Sequence, residues 1–448
     1  MHAFDALTPT RTTPPQAGLT QDTVTALQAQ IGELGRNVLT QLRSVALAFE
    51  TTQINDSLRE ASRIAPKDRR VVFLGAPGFA GNIKYAWLDF CQRATELDID
   101  CWFAPQTREQ EELMKTLGVQ YFPLDYKTWT REHTGLALRT AVRVTESHYA
   151  GYTMPNPYQH ALFSGAHEVQ LWHGISIKEI ALRAPPALGK MTLAHAQNLA
   201  SCRMDVFCGS SAQGEVEWRR WFSFDRYANI GYPRNDVLLR EPSQLDLLNV
   251  DTAALAAMRR VRAGGGKVFF YAPTFRDGGT GAWLKPEDLN ELARGLAQQG
   301  HLLIMNLHPL EQVLQPQYES RCPGVGFVMA GTDIYPLLGE TDALVTDYSS
   351  LMFDYLMTDK PVLFWRPDHE AYITQSRELY DGKLDRPIGI ETTTIPELVR
   401  ACHALDAEPA ELVINRHAMR QRLFDSPDSD ASRRTSALIA AEVERVLA

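Results

Sequence analysis

The segment Thr346-Asp347-Tyr348-Ser349-Ser350 follows the apolar run Ala343–Val345 and leads into Leu351-Met352-Phe353-Asp354, so that a strand passes into hydroxyls and then into a helix. This is a junction suited to binding phosphate. The first turn of a helix has unpaired N–H groups and a partial positive charge, and hydroxyls placed there complete a cradle for an anionic diphosphate. Three further polar clusters stand in the same position. Trp172-His173-Gly174 follows Val169–Leu171, Thr274-Phe275-Arg276-Asp277 follows Val268–Ala272, and His308-Pro309 follows Leu302–Asn306. Each ends a predicted strand, where an α/β crevice presents its ligand-binding groups.

A histidine at such a point, with Gly174 beside it to admit a ligand to the backbone, can take a proton from a hydroxyl near neutral pH. Taken alone, His173 is equally a structural hydrogen-bonding histidine. Arg276 offers a two-pronged fork to phosphate oxygens, or serves as an ion-paired surface group. Pro309 holds His308 extended, ready to donate to a phosphate as the leaving group gains charge, or to cap a strand end.

The elements that position these groups alternate along the chain. Val71–Gly75 reads as a buried strand, followed by Gly78, Gly81 and a helix at 82–97; the spacing is not that of a dinucleotide-binding loop. Strands are expected at 99–104, 119–122, 169–172, 206–209 and 228–231, with a helix at 107–117. A second series runs through a strand at 267–272, a helix at 286–299, strands at 301–306 and 326–328, a helix at 334–338 and strands at 343–345 and 361–365. The expected fold class is α/β, two doubly wound Rossmann-like domains facing a cleft with an N-terminal helical extension.

The expected divisions are a mobile tail at 1–20, an amphipathic helical extension at 21–66, a first α/β domain at 67–240, a second at 241–428, and a helix at 429–448 that crosses back onto the first domain. In the extension Val24, Leu27, Ile31, Leu34, Val38, Leu42, Val45 and Phe49 recur at helical spacing. That stripe fits packing on the first domain, homo-oligomerisation through residues 21–64, or peripheral contact with a membrane surface. Its polar side mixes Asp22 and Glu33 with Arg36 and Arg43, so attraction to anionic lipid is weak.

Composition narrows the classes. A chain of 448 residues exceeds one ordinary core. No run of about 20 apolar residues is present to span a membrane. The start Met1-His2-Ala3-Phe4-Asp5 lacks the pattern of a secretory signal, which points to the cytoplasm. A net charge of −9 argues against nucleic acid as a partner. The six cysteines form no CxxC pair and read as reduced thiols.

Together, Trp172-His173-Gly174 with Lys178, Gly231-Tyr232-Pro233-Arg234-Asn235-Asp236, Tyr271 to Arg276, His308-Pro309, and Thr346 to Asp354 with Lys360-Pro361 resemble the CDP-glycerol:poly(glycerophosphate) glycerophosphotransferase family. The resemblance covers about residues 71–400, in the family's order. It implies a GT-B type fold, a CDP-polyol donor (CDP-glycerol or CDP-ribitol), and a lipid-linked or polysaccharide acceptor in teichoic-acid or capsule biosynthesis, with release of CMP at the inner face of the cell membrane. It also implies His173 as general base and His308 as stabiliser of the phosphates. Arg276, Thr274, Thr346, Asp347, Ser349 and Ser350 would hold or shape the donor-phosphate site, Asp354 would reach a ribose or polyol hydroxyl, and Gly174, Lys178, Arg234 and Asp236 would line the acceptor side or the cleft. Family members commonly continue the HisGly pair with Thr-Pro-Leu-Lys, where this chain reads Ile175-Ser176-Ile177-Lys178.

No metal or other cofactor is expected under this scheme, because helix N-termini, arginine and histidine can neutralise the phosphate charge. The triplets Asp98-Ile99-Asp100 and Asp428-Ser429-Asp430 lie away from the clusters. Two other readings stand beside this one: a GT-B glycosyltransferase using a CMP-activated acid sugar, and a non-catalytic nucleotide- or glycan-binding relative.

Overall fold

The computed structural model describes residues 50, 52–76, 78–146, 158–177, 180, 204–274, 276, 284–370, 372 and 385–448. The chain divides into a unit of residues 1–57 and a unit of residues 58–448. In the first, residues 52–57 are helical; the expected tail and the whole apolar stripe from Val24 to Phe49 lie outside the described residues.

The second unit contains two parallel six-stranded sheets. Strands β1 (Asp68–Leu74), β2 (Asp100–Ala104), β3 (Thr140–Thr145), β4 (His167–Gln170), β5 (Met204–Gly209) and β6 (Phe224–Asn229) form the first, in the order β2-β1-β3-β4-β5-β6. Strands β7 (Val268–Ala272), β8 (Leu302–Met305), β9 (Gly326–Phe327), β10 (Ala343–Thr346), β11 (Val362–Trp365) and β12 (Ile390–Thr392) form the second, in the order β12-β11-β10-β7-β8-β9. The winding reverses between β1 and β3 in one sheet and between β7 and β10 in the other. Crevices for ligands open at the strand ends there.

Parallel strands covered on both faces need apolar side chains at every position, and β7 (VFFYA), β10 (ALVT) and β11 (VLFW) are buried throughout. Phe269, Tyr271, Ala343, Val345, Leu363 and Trp365 face one core. Phe270, Leu344, Val362 and Phe364 face another, which continues into Tyr85, Ile175, Tyr232 and Val237 of the first half. The two halves therefore share apolar packing beneath the cleft. Lys84 fastens it further: its Nζ is fully buried and donates to Asp333 Oδ2 and to the carbonyls of Asp246 and Leu248, each at 2.7 Å.

Three strands are either missing where expected or present where none was expected. Residues 119–122 make only an isolated bridge, Phe103 to Tyr121, in place of a strand. Strand β3 is absent from the sequence reading because its alternation of Thr, Val and Arg obscures an apolar run. Within it, Arg143 is buried yet paired, Nη2 lying 2.6 Å from Glu168 Oε2. The short β12 is the third.

The last helix, Ala431–Leu447, lies against the first sheet, with Ile439 and Val443 in that sheet's core. Its first turn is held by Asp236, whose carboxylate accepts from the amides of Ala431 (3.0 Å) and Ser432 (2.8 Å).

Candidate active site

Glycine and strained backbone bring the chemistry to the ends of β3 and β4. Trp172, two residues past β4, adopts φ +54°, a conformation that bulky residues rarely hold unless their surroundings impose it. Gln170 Oε1 accepts from its amide at 3.0 Å and Asn82 Nδ2 donates to its carbonyl at 2.8 Å. The His173 ring stacks beside the Trp172 ring, centroids 4.0 Å apart. Its Nδ1 lies 3.4 Å from the Glu146 carbonyl, and a carbonyl only accepts, so Nδ1 carries the proton and the lone pair is on Nε2. Surrounding protein and the Arg234 charge lower the His173 pKa to about 4, against the Glu146 carbonyl, which raises it. Solvent still reaches the ring and tempers the burial effect, while the Arg234 charge acts in the same direction. The imidazole is neutral at neutral pH, the form a base requires.

Gly174 follows with φ +106°, and a Cβ there would lie 2.1 Å from Arg234 Nη2. That guanidinium pairs with Asp354 Oδ2 at 2.6 Å, and Tyr335 donates to the same oxygen at 2.9 Å. Asp354 lies on the helix Leu351–Tyr355, which begins directly after Ser349 and Ser350. A contact between Arg234 and Asp354 thus ties the HisGly loop of the first sheet to the SerSer loop of the second. Arg234 and Asp354 meet in the cleft as buried partners of each other.

Glu146, one residue past β3, is a site residue that the sequence reading missed. Its Oε2 accepts from the Ile83 amide at 2.8 Å, at the start of the helix Gly81–Arg93. Gly81, at φ +70°, makes room: a Cβ there would come within 2.8 Å of both carboxylate oxygens. Burial raises the Glu146 pKa to about 7, opposed by the helix amides and Arg234. The available signal was a lone glutamate after a strand that was itself not recognised.

On the second sheet, several expected phosphate ligands prove to be occupied within the protein. Thr346 Oγ1 donates to the Ala272 carbonyl at 2.7 Å, pinning β10 to β7. Asp347 is fully buried and accepts from the amides of Thr274 (2.9 Å) and Tyr348 (2.5 Å). Arg276, expected to present its fork to phosphate, instead places Nη1 2.9 Å from Asp347 and Nε 2.9 Å from Asp368, and packs against the Tyr372 ring at 4.5 Å. Two carboxylates offset its charge, and the pair of contacts fixes the strand-end loop. Thr274 contributes its amide to Asp347, and its hydroxyl is buried.

Ser350 is exposed and Ser349 is half-buried, with Ser349 Oγ accepting from the Leu351 amide at 3.3 Å. The half-buried His308 follows β8, its carbonyl accepting from the Glu311 amide at 2.7 Å. Asp236, expected at the acceptor side, is spent on the last helix, and burial raises its pKa to about 6. Lys178 lies outside the described residues. Of the two DxD triplets, Asp100 pairs with Arg70, Asp428 with Arg434 and Asp430 with Arg433.

The sequence model described as CDP-glycerol:poly(glycerophosphate) glycerophosphotransferase matches residues 66–441. The chain is 27% identical over 281 residues to a teichoic acid glycerol-phosphate transferase of Staphylococcus aureus, covering 59% of this chain and 69% of that one. It is 28% identical over 261 residues to a teichoic acid poly(glycerol phosphate) polymerase of Bacillus subtilis, covering 55% of this chain but 33% of the relative. A solved structure of the wall teichoic acid polymerase TagF superposes with a TM-score of 0.66 at 19% identity, covering 92% of this chain and 98% of that one, a likeness of fold.

Proposed function

Because the chain belongs to the CDP-glycerol:poly(glycerophosphate) glycerophosphotransferase family, we propose that it transfers a polyol phosphate, glycerol phosphate first, from a CDP-polyol to a hydroxyl of a lipid-linked or polysaccharide acceptor. The observation that carries this reading is the neutral, tautomer-fixed His173 at the end of β4, tied through Gly174, Arg234 and Asp354 to the helix that follows Ser349-Ser350.

In the reaction the acceptor oxygen forms a bond to the phosphorus that carries the polyol. The bond from that phosphorus to the bridging oxygen breaks, and CMP leaves with the electron pair. His173 Nε2 takes the hydroxyl proton. His308 and the Ser349 and Ser350 hydroxyls meet the diphosphate, where charge develops on the leaving group. Arg276, Thr274, Thr346 and Asp347 act behind them, holding the loop in shape. Asp354 and Arg234 set the spacing between base and phosphate loop. Gly174 leaves room for that pair, and Lys178 serves the acceptor side. The reaction proceeds without a metal or other cofactor.

Work occurs at the cytoplasmic face of the membrane, where a lipid-linked acceptor is presented. Among the described residues no helix is long and apolar enough to cross a membrane. The test is CMP release from CDP-glycerol, CDP-ribitol and CMP-sialic acid with purified protein, acceptor and EDTA. Formation of a new phosphodiester that persists in EDTA and is lost in His173→Ala supports the proposal. A new glycosidic bond, or no turnover with His173→Ala still complementing in cells, overturns it.

A further inference from the structure

Asn82 stands in the first turn of the helix Gly81–Arg93 and is fully buried. A buried amide must find partners for both its oxygen and its nitrogen. Asn82 finds them on two different loops of the candidate site. Its Nδ2 donates to the Trp172 carbonyl at 2.8 Å, and its Oδ1 accepts from the Arg234 amide at 3.2 Å. A carbonyl only accepts and an amide N–H only donates, so these partners fix which way the side-chain amide faces.

The Trp172 carbonyl belongs to the planar peptide that joins Trp172 to His173, so the bond from Asn82 sets the direction in which the chain enters the histidine. From the other side Gln170, also fully buried, accepts from the Trp172 amide at 3.0 Å. Gln170 is itself seated on a buried network. Its Nε2 lies 3.5 Å from Glu168 Oε1, to which Thr145 donates at 3.0 Å, while Arg143 pairs with Glu168 Oε2 at 2.6 Å. Trp172 is therefore gripped at both of its peptide groups. That double grip accounts for its φ of +54°, since a bulky residue stays in the left-handed region only where its surroundings over-determine it.

The next residue along the helix completes the hold. The Ile83 amide donates to Glu146 Oε2 at 2.8 Å, and the Glu146 carbonyl faces His173 Nδ1 at 3.4 Å. Residues 82 and 83 thus anchor the peptide before the histidine and the residue that accepts from its ring. Asn82 also holds the backbone of Arg234, whose guanidinium reaches Asp354 beside the SerSer loop. At 0% exposure Asn82 does not meet a substrate, so its effect on the reaction passes through His173 and Arg234.

We propose that Asn82 is a positioning residue for the base: by holding the Trp172–His173 peptide and the Arg234 backbone together, it directs His173 Nε2 toward the acceptor hydroxyl. Gln170 serves the same turn from the sheet side. The inference rests on the polyol-phosphate transferase reading above and adds to it two buried amides that act only through their neighbours.

The test is a double-mutant cycle with a spectroscopic arm. Asn82→Ala leaves the Trp172 carbonyl and the Arg234 amide without their partner, so a lower melting temperature is expected whether the role is positioning or purely structural. Rates are therefore compared at a temperature where circular dichroism shows every variant folded. With CDP-glycerol as donor, kcat should fall about a hundredfold, the effect of misplacing a reacting group by an ångström, while calorimetric affinity for CDP-glycerol stays unchanged. Gln170→Met keeps the length of that side chain and loses its amide; it should behave alike, and it carries the test should Asn82→Ala not fold. Added to His173→Ala, either change should cost no further activity, because the group it positions is gone. In protein labelled with 15N-histidine, the His173 signals, identified by their absence from His173→Ala, should show the proton on Nδ1 in the wild type and mixed tautomers in the variants. An unchanged kcat, a parallel loss of donor affinity, a further loss of equal size in the His173→Ala background, or an unaltered Nδ1–H signature in the variants would overturn the positioning role. Full turnover by His173→Ala, or no turnover of any CDP-polyol by the wild type, would instead overturn the function on which it rests.

Discussion

Arg234 and Asp354 join the two sheets through a buried ion pair, Nη2 to Oδ2 at 2.6 Å, with the side chains 10% and 3% exposed. Gly174 lies against the guanidinium, and Asp354 stands about one helical turn past Ser350. One contact therefore sets how far the proposed base is from the proposed phosphate loop. Removing either partner leaves a buried charge uncompensated. Arg234→Ala or Asp354→Ala should cost about 3–5 kcal/mol in denaturant unfolding, and the apolar double variant Arg234→Met with Asp354→Leu should cost less than either. A double variant no better than the singles would show that the pair's charges do not dominate at this position.

Gly174→Ala tests the other side of that contact. The added carbon collides with Arg234 and must also occupy φ +106°. Backbone strain of about 1–3 kcal/mol is expected in unfolding experiments. Displacement of His173 should lower kcat about a hundredfold, because misplacing a reacting group by an ångström has that effect. A full kcat in folded Gly174→Ala protein would separate the HisGly loop from catalysis.

The lowered His173 pKa places the acid limb of activity. In the free enzyme the surrounding protein and the Arg234 charge hold the base below the ordinary histidine value of 6.5, so kcat/KM should hold steady from neutrality through 6.5 and fall only at lower pH. Bound diphosphate adds negative charge beside Arg234 and raises the pKa, so the limb in kcat should lie at higher pH. Initial rates over pH 4–8, with circular dichroism to confirm folding, check both limbs. Coincident limbs near 6.5 would rule out this environment for the working base.

For Arg276 the structure makes a different forecast from the sequence. Asp347 is fully buried beside it, so Arg276→Ala leaves that carboxylate without its counter-charge and should destabilise the fold by about 3–5 kcal/mol. A residue that only gripped phosphate would raise the donor KM and leave the melting temperature alone. Calorimetric melting and donor titration of the same variant distinguish the two.

The strand ends at Trp172, Arg276, His308 and Ser349 were legible because apolar runs of parallel-sheet length stop abruptly there. What the sequence hid was partnership over distance. Arg276 meets Asp368, Asp236 meets the amides at 431–432, and Arg234 meets Asp354, separations of 92, 195 and 120 residues that no local pattern reveals. Strand β3 was hidden by Arg143, whose charge reads as exposed until Glu168 on the neighbouring strand neutralises it. With β3 unseen, Glu146 at its end carried no signal.

Glu146 yields the last prediction. Its folded-state pKa of about 7 exceeds the ordinary 4.5, so the native protein holds the proton more tightly than the unfolded chain. Its contribution to stability is therefore full below pH 4.5 and is lost as pH rises through about 7, where a charged carboxylate must stay buried. Glu146→Gln keeps an oxygen to accept from the Ile83 amide and has no charge to bury. The variant should melt close to wild type at pH 5 and be more stable at pH 8 by about 1–3 kcal/mol, a size set by the gap between the two pKa values and reduced by relaxation around the charge. Equal stability of the two proteins at both pH values would mean that the carboxylate is ionised at its ordinary pKa. A less stable Glu146→Gln at pH 8 would mean that the charge itself holds the glycine loop through the start of the helix Gly81–Arg93.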